Sequence, residues 1–360
     1  MKFMTFNIRH DHGPQSTRES FASVDVPESL TGEQPWAIRK WKVADTVLLW
    51  SPDIVGFQEP EHHQVIDLQS LLHDEYDWVG AGRNDGNEDG EYCPVFYKRE
   101  LLKVNNWKTL WLSHEPETPG SKGWDASHPR IANWVEFERK ADGSQFTVLN
   151  AHFDHQGVES RRGAAQLILE RVQANQGLTV LMGDLNSPED DPGYQTLTGG
   201  GDKDRNDTMR CLEELNDRLK LDYATKTGEP VRTSGPNATM TLPTHRVMRP
   251  GQILQNLRGN NTDSNTSTTF VDTRYALATR LNKKPGDTHA TMSGPLGDKN
   301  TFTSFGPGDP DICNAPRRLD YIMMMKHENV TVRRFGVLSN IFDDNLYISD
   351  HRPVVAELEW

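Results

Sequence analysis

Five short apolar runs in this chain each adjoin a cluster of chemically capable polar residues, and no other feature restricts the fold as much. Asn7 follows Met4-Thr5-Phe6, Gln58-Glu59 follow Ile54 to Phe57, and Asn150-Ala151-His152 follow Phe146 to Leu149. Gly183-Asp184-Leu185-Asn186 follow Thr179 to Met182, and Ser349-Asp350-His351 precede Pro353-Val354-Val355. Runs of this length and side-chain type read as strands. Strand ends along one sheet edge are where α/β enzymes gather their sites. A single polar residue closing a strand is more often a turn former than a catalyst. Five closures that jointly supply carboxylates, amides and imidazoles point to one shared site.

Strands are expected at Phe3 to Ile8, Ile54 to Gln58, Val95 to Tyr97, Trp134 to Glu138, Phe146 to Asn150, Thr179 to Met182, Tyr321 to Met324 and Pro353 to Glu357. Helical stripes run through Val65, Leu68 and Leu72, then Ala164, Leu167 or Ile168 and Val172, then Met209, Leu212, Leu215 and Leu219; all three read as core-facing. Many strands with few helices predict a four-layer α/β/β/α sandwich, two packed mixed sheets flanked by helices. At 360 residues the length alone allows one large domain or two. With no internal repeat, residues 1–360 read as a single domain. A polar stretch at about 225–269, rich in Asn, Thr, Gly and Pro, reads as a surface loop excursion rather than a lid.

Lys and Arg number 39 against 52 Asp and Glu, a net charge of −13. Binding to a nucleic-acid duplex calls for a basic stripe that releases counterions, so a small or neutral-bodied substrate is favoured over nucleic acid. No apolar run is long enough to span a membrane, and the opening Met1 to Asn7 reads as a first strand, not a secretory leader. Cys93, Cys211 and Cys313 form neither a disulfide framework nor a zinc spacing. Five Asn-x-Ser/Thr sequons begin at Asn206, Asn237, Asn260, Asn265 and Asn329, where roughly three would arise by chance. The compartment stays open between extracellular and cytoplasmic, with a slight lean to the former; the oligomeric state is open too.

In this order the clusters resemble the endonuclease/exonuclease/phosphatase superfamily, from Phe3 to Leu358. The pairing of Gly183-Asp184-Leu185-Asn186 with Ser349-Asp350-His351 is the most specific part, and Arg318-Leu319-Asp320-Tyr321-Ile322 completes it. The resemblance implies hydrolysis of a phosphodiester or monoester with Mg²⁺ or Mn²⁺. A hard divalent cation on carboxylates is the natural clamp for charge developing on phosphate oxygens. By resemblance Glu59 is a metal ligand, and Asp350 binds the same ion or a second one. Asp184 orients or deprotonates the attacking water with Asn186 fixing its geometry, while Asn7 and His152 are donors to the scissile phosphate. His351 pairs with Asp320, which fixes the imidazole tautomer and holds its charge. Asp320 as a partner of Arg317 or Arg318, and Asp350 as a helix cap, are the structural alternatives. Arg9 stands where abasic-site endonucleases carry an acidic residue, which favours a one-metal site and a phosphate contact for Arg9.

Four further segments resemble a less characterised branch of metal-dependent hydrolases. They are Pro35-Trp36…Arg39, Gly82-Arg83-Asn84-Asp85-Gly86 with Gly90-Glu91-Tyr92, Trp111-Leu112-Ser113…Gly123-Trp124-Asp125-Ala126 with Arg130, and Asp154-His155-Gln156-Gly157…Ser160-Arg161. Aromatics beside Arg and Asp suit a sugar or other polyhydroxylated group. Arg9, Arg83, Asp85, Tyr92, Trp124, Asp125 and Arg130 are therefore the candidate substrate readers. Internal ion pairing is the alternative for Arg83 and Arg130, and Trp111 and Trp134 read as core. His62, His63 and His155 read as structural or solvated. The expected partner is a small-molecule or glycan phosphoester. A nuclease is the second reading; a sphingomyelinase-like lipid hydrolase is the third, without an amphipathic segment to dock on a membrane; a catalytically silent binding module of the same fold is the alternative from a different class.

Overall fold

Central strands buried on both faces, with successive side chains entering different apolar clusters, decide the layering. A computed structural model describes residues 1–11, 32–175, 177–199, 225, 228, 269–276, 296–306, 309, 317–325 and 330–360. Strand β1 (Lys2–Asn7) points Phe3 into one apolar cluster and Met4 and Phe6 into another, as alternation of side chains across a pleat requires. β1 leads through α1 (Trp36–Trp50) to β2 (Ile54–Gln58), which pairs parallel to it with Asn7 opposite Gln58. Helix α2 (His62–Leu72) follows, opened by a reciprocal capping box between Glu61 and Gln64. Next come β3 (Tyr76–Val79), β4 (Val95–Lys98), β5 (Leu102–Trp111), β6 (Ile131–Arg139) and β7 (Gln145–His152). Helix α3 (Val158–Gln173) connects β7 to the parallel β8 (Leu178–Asp184), and α4 (Pro192–Thr198) follows. The remaining strands are β9 (Phe270–Asp272), β10 (Leu296–Gly297), β11 (Asp320–Met325), β12 (Thr331–Val337) and β13 (Val354–Glu359).

The strands form two mixed sheets, a seven-stranded one ordered β10-β12-β13-β1-β2-β4-β3 and a six-stranded one ordered β5-β6-β7-β8-β11-β9. Phe3, Ile54, Val148, Val180, Ile322 and Val354 pack between the sheets. Val43, Val47, Val65 and Leu68 of α1 and α2 cover the outer face of the first sheet. Ala164, Ile168 and Val172 of α3 cover the second. The expected four-layer α/β/β/α sandwich is what the chain forms. Among the described residues no helix is long and apolar enough to cross a membrane.

All eight expected strands are present, and the helices carrying Val65 and Ala164 lie as expected. The third stripe, Met209 to Leu219, lies outside the described residues, as do Cys211, Cys313, all five sequon asparagines and nearly all of the 225–269 excursion. Helix α1 was not read from the sequence because its inner face carries Arg39 and Lys40, both buried. Arg39, 1% exposed, satisfies its guanidinium on the carbonyls of Gln34, Ile8, Ile348 and Arg9. Strand β5 was missed because its middle, Asn105, Asn106 and Trp107, lies exposed on an edge strand, which erases the alternation.

Two registers position the site. Asp184 lies opposite His152 on parallel β7 and opposite Asp320 on antiparallel β11. The three side chains therefore start from one level of one sheet face. Gly183 makes this level accessible: its φ is +145°, and a Cβ there would stand 1.9 Å from the Ala151 carbonyl oxygen. Gly183→Ala is expected to cost about 1–3 kcal/mol in backbone strain alone, with the steric clash adding to it. Urea denaturation checks this, and an unchanged midpoint would contradict the close approach.

Candidate active site

Asp184, Glu59 and Asn7 meet where the two sheets converge, all three buried. Asn7 Nδ2 donates to Glu59 Oε1 at 2.8 Å and to Asp184 Oδ2 at 2.9 Å, bridging one carboxylate from each sheet. Below it the sheets are stitched by Asn150, whose Nδ2 donates to the Phe57 and Pro94 carbonyls while Gln58 Nε2 donates to its Oδ1. Gly56 leaves room for that side chain; a Cβ would meet Asn150 Cγ at 2.6 Å.

Asp184 sits between two imidazoles. His152 Nε2 and His351 Nε2 each lie 3.7 Å from Asp184 Oδ2. Their environments push them in opposite directions. Burial and the neighbouring Arg130 lower the His152 pKa and favour its neutral form; Asn186 Nδ2 lies 3.1 Å from its Nε2, and Arg130 Nη1 lies 3.0 Å from both ring nitrogens. For His351, burial is outweighed by the charges of Asp320 and Asp184 and by the 2.8 Å bond from Nδ1 to Asp320 Oδ2, and its pKa stands well above the ordinary range. Burial raises the Asp184 pKa, assisted by Asp320 and opposed by His351 and His152. Asn186 N–H donates to Asp184 Oδ1 at 2.9 Å.

Glu59 is held differently. Burial opposes its charge, yet His10, His152 and Arg9 outweigh burial and keep its pKa well below the usual carboxylate range. Ligand atoms of Glu59, His152 and Asp184 all lie within 4.8 Å of one another, as do those of Asp184, Asp320 and His351. The first set, with an ionised carboxylate and a neutral imidazole, has the donor chemistry of a divalent cation site. The second contains a positively charged ring and suits proton handling instead. Asp350 belongs to neither set; its Oδ1 accepts from Ser349 Oγ at 3.2 Å.

Arg9, Glu59 and Asn186 are three of the seven non-glycine residues with positive φ among the described residues, at 59°, 71° and 45°. Strained backbone of this kind concentrates where a fold over-determines a functional geometry.

Two expectations about roles change. Asn7 was expected to donate to phosphate, but both its amide hydrogens are directed to Glu59 and Asp184, and its oxygen accepts from Arg9 N–H. The substrate readers divide. Tyr92 is 1% exposed, and its hydroxyl donates to the Asn87 carbonyl, so it is a core residue and not a stacking platform. Asp85 folds its own loop by accepting from Asn87 N–H and Asp89 N–H. Arg130, also buried, contacts Asp154, His152 and His155, which bears out the internal alternative for this residue. Arg83 is 2.5 Å from Glu91. Asp125 caps α3 from a neighbouring loop, accepting from Ser160 N–H at 2.7 Å and Glu159 N–H at 3.3 Å. Trp124, 39% exposed, lies over Gly163 with its ring 4.6 Å from that of His114. Arg9 stands 3.9 Å from Glu59 and 3.6 Å from Glu33. Asp125→Ala is expected to cost about 1 kcal/mol, the usual value of a lost cap, without a change in kcat. A fall in kcat with unchanged stability would return Asp125 to the substrate.

Two site residues were given no role by the sequence reading, although Glu91 stands in the Gly90-Glu91-Tyr92 segment it singled out. His10 donates its backbone N–H and approaches with Nδ1 to Glu59 Oε2, at 3.2 and 2.8 Å. Glu91 lies 3.5 Å from His152 Nδ1 and between Arg83 and Arg130. Neither ends an apolar run, so pattern alone gave no signal.

Residues 4–351 match the model of the Endonuclease/Exonuclease/phosphatase family. The chain belongs to that family. It is a phosphate-ester hydrolase in a family that is in general divalent-metal dependent. Over 99% of this chain and 98% of the other, it is 26% identical to an endonuclease/exonuclease/phosphatase structure from Bacteroides vulgatus, with a TM-score of 0.67. A mannosyl-6-phosphatase of Bacteroides thetaiotaomicron has the same fold, with a TM-score of 0.64 and 23% identity over the whole of both chains. Nocturnin of Drosophila melanogaster is 24% identical over 194 residues, which span 48% of this chain and 27% of that protein.

Proposed function

We propose that the chain hydrolyses a phosphodiester or phosphomonoester of a small sugar-containing or polyhydroxylated molecule, using Mg²⁺ or Mn²⁺. The observation that carries the reading is Asp184 between two imidazoles, each 3.7 Å from its Oδ2, and bridged through Asn7 to Glu59. A divalent ion held at Glu59 would supply charge stabilisation to the phosphate oxygens.

The protein groups supply the rest. Asp184, aimed by Asn186 N–H and Asn7 Nδ2, takes the proton of the attacking water. Its raised pKa brings it closer to the optimum for a general base near neutral pH. His351, braced by Asp320, offers its Nε2 proton to charge developing on the phosphate or the leaving oxygen. His152 faces Asn186 Nδ2 with its Nε2, its ring held by Arg130 and Glu91.

Net charge supports the substrate class, since −13 disfavours a polyanionic polymer. The name of the Bacteroides thetaiotaomicron structure is of the same class. The test is phosphate release from a panel of sugar phosphates, beside bis-p-nitrophenyl and p-nitrophenyl phosphate, with Mg²⁺, Mn²⁺ or EDTA. Metal-dependent release lost in Asp184→Ala supports the mechanism. Degradation of DNA or RNA in preference to the panel would establish the nuclease reading, and inertness throughout would point to a more demanding natural substrate or to a fold kept for binding.

The rate should be bell-shaped in pH, with both limbs displaced upward. Asp184 must be ionised and its pKa is raised, so the acid limb lies above the ordinary aspartate value of about 3.9. His351 must be protonated and its pKa is also raised, so the alkaline limb lies above about 6.5. His351→Gln should abolish the alkaline limb; its survival would assign it to another group.

A further inference from the structure

We infer that His10, presented by a fixed Arg9 backbone, is a positioning residue that locks the outer oxygen of Glu59 and confines the site to a single divalent ion. The inference rests on the metal-dependent reading above. Glu59 has two carboxylate oxygens, and both are engaged. Oε1 accepts from Asn7 Nδ2, on the side of Asp184. Oε2 meets two donors from one residue, His10 N–H at 3.2 Å and His10 Nδ1 at 2.8 Å. The Arg9 guanidinium stands behind, 3.9 Å from the same oxygen.

The arrangement is built into the backbone. Arg9 has φ of 59°, and its amide N–H donates to Asn7 Oδ1. Its carbonyl accepts from Gln64 Nε2 at 3.0 Å and Arg39 Nη2 at 3.3 Å. That carbonyl and the His10 N–H belong to one peptide plane. Tying the carbonyl on one side therefore aims the N–H at Glu59 on the other. Gln64 is itself fixed, because its Oε1 accepts from Asp11 N–H and Glu61 N–H.

The consequence for metal follows from charge and geometry. A second ion on Oε2 would have to displace two hydrogen bonds and approach a guanidinium, whereas Oε1 accepts a single amide hydrogen, on the side of Asp184. Hydrogen bonds to a ligating carboxylate fix its orientation, and their loss typically weakens metal affinity by about 10–100-fold.

The experiment is calorimetric titration of Mn²⁺ into the full chain after removal of bound metal, for wild type, His10→Phe and His10→Asn, with thermal unfolding of each metal-free protein alongside. One site is expected in the wild type. His10→Phe keeps a ring but loses the Nδ1 donor and should bind Mn²⁺ about 10–100-fold more weakly, with metal-free unfolding unchanged. His10→Asn places an amide donor near the Nδ1 position and should restore most of the affinity. Two wild-type sites, or unchanged affinity in His10→Phe, would overturn the inference while leaving the proposed function standing. Equal weakening in Phe and Asn would also overturn it. A wild type that binds no Mn²⁺ would overturn both.

Discussion

Asp184→Ala and His351→Ala should each lower kcat by about 10²–10⁴, the range of a lost general base or of a lost charge stabiliser in a buried site. Both residues are almost completely buried, so neither effect can be diluted by solvent taking over the same role. Removing Asp184 also frees one Asn7 hydrogen and the Asn186 N–H, and takes one of two carboxylates from His351. The Asn7 to Glu59 bond and the β7–β8–β11 register do not depend on it, so the sandwich should survive. In the proposed mechanism the two residues act on one proton inventory. The double variant should therefore lose little more than either single one, as groups that work as a unit do. Steady-state kinetics with circular dichroism for the fold settles it. Turnover within a few-fold of wild type in either folded single variant would remove that residue from the mechanism.

How much of this was legible beforehand depends on whether a residue's role left a trace in pattern. The proposed catalytic side chains did, because strands meeting at one sheet edge print the residue there beside an apolar run, after it for His152 and Asp184 and before it for Asp320. His152, Asp184 and Asp320 lie at one register level for that reason. The loop residues left no such trace. Tyr92, Asp85 and Asp125 have the composition of a sugar-binding rim, yet a core position, a turn and a helix cap use the same residue types. Their polar atoms are satisfied inside the protein, and sequence does not say which way a loop side chain turns. Arg39 and Lys40 hid helix α1 by placing cations on its inner face. His10 was invisible because its partner Glu59 lies 49 residues on (59 − 10), and Glu91, though in a segment the sequence singled out, showed no partner because His152 lies 61 residues on (152 − 91). The choice left open for Asp320 is resolved by geometry. Arg318 is directed to Asp272 and Glu189, and Asp320 pairs with His351.

That division of partners makes Arg318→Met the largest expected loss of stability, about 3–5 kcal/mol, the cost of breaking a buried ion pair by removing one partner. Arg318 and Asp272 have side chains only 2% and 1% exposed. Their bond is bidentate, Nη1 to Oδ2 at 2.6 Å and Nη2 to Oδ1 at 2.8 Å. The guanidinium also stacks on Tyr321, 4.5 Å from the ring centre, and Tyr194 donates its hydroxyl to Asp272 Oδ2 at 3.1 Å. With the arginine gone, Asp272 keeps Tyr194 and the Arg274 N–H but loses its countercharge in a site closed to water. Removing both charges together, Arg318→Met with Asp272→Leu, should cost less than the single change, because no orphan charge is left. Denaturant unfolding of the three proteins measures the cycle. Because Arg318 stands two residues from Asp320 and does not bond to its carboxylate, the folded fraction of Arg318→Met should keep kcat within a few-fold of wild type. A collapse of kcat in protein that is still folded would mean that this pair positions Asp320, and through it His351, as well as holding β9 against β11.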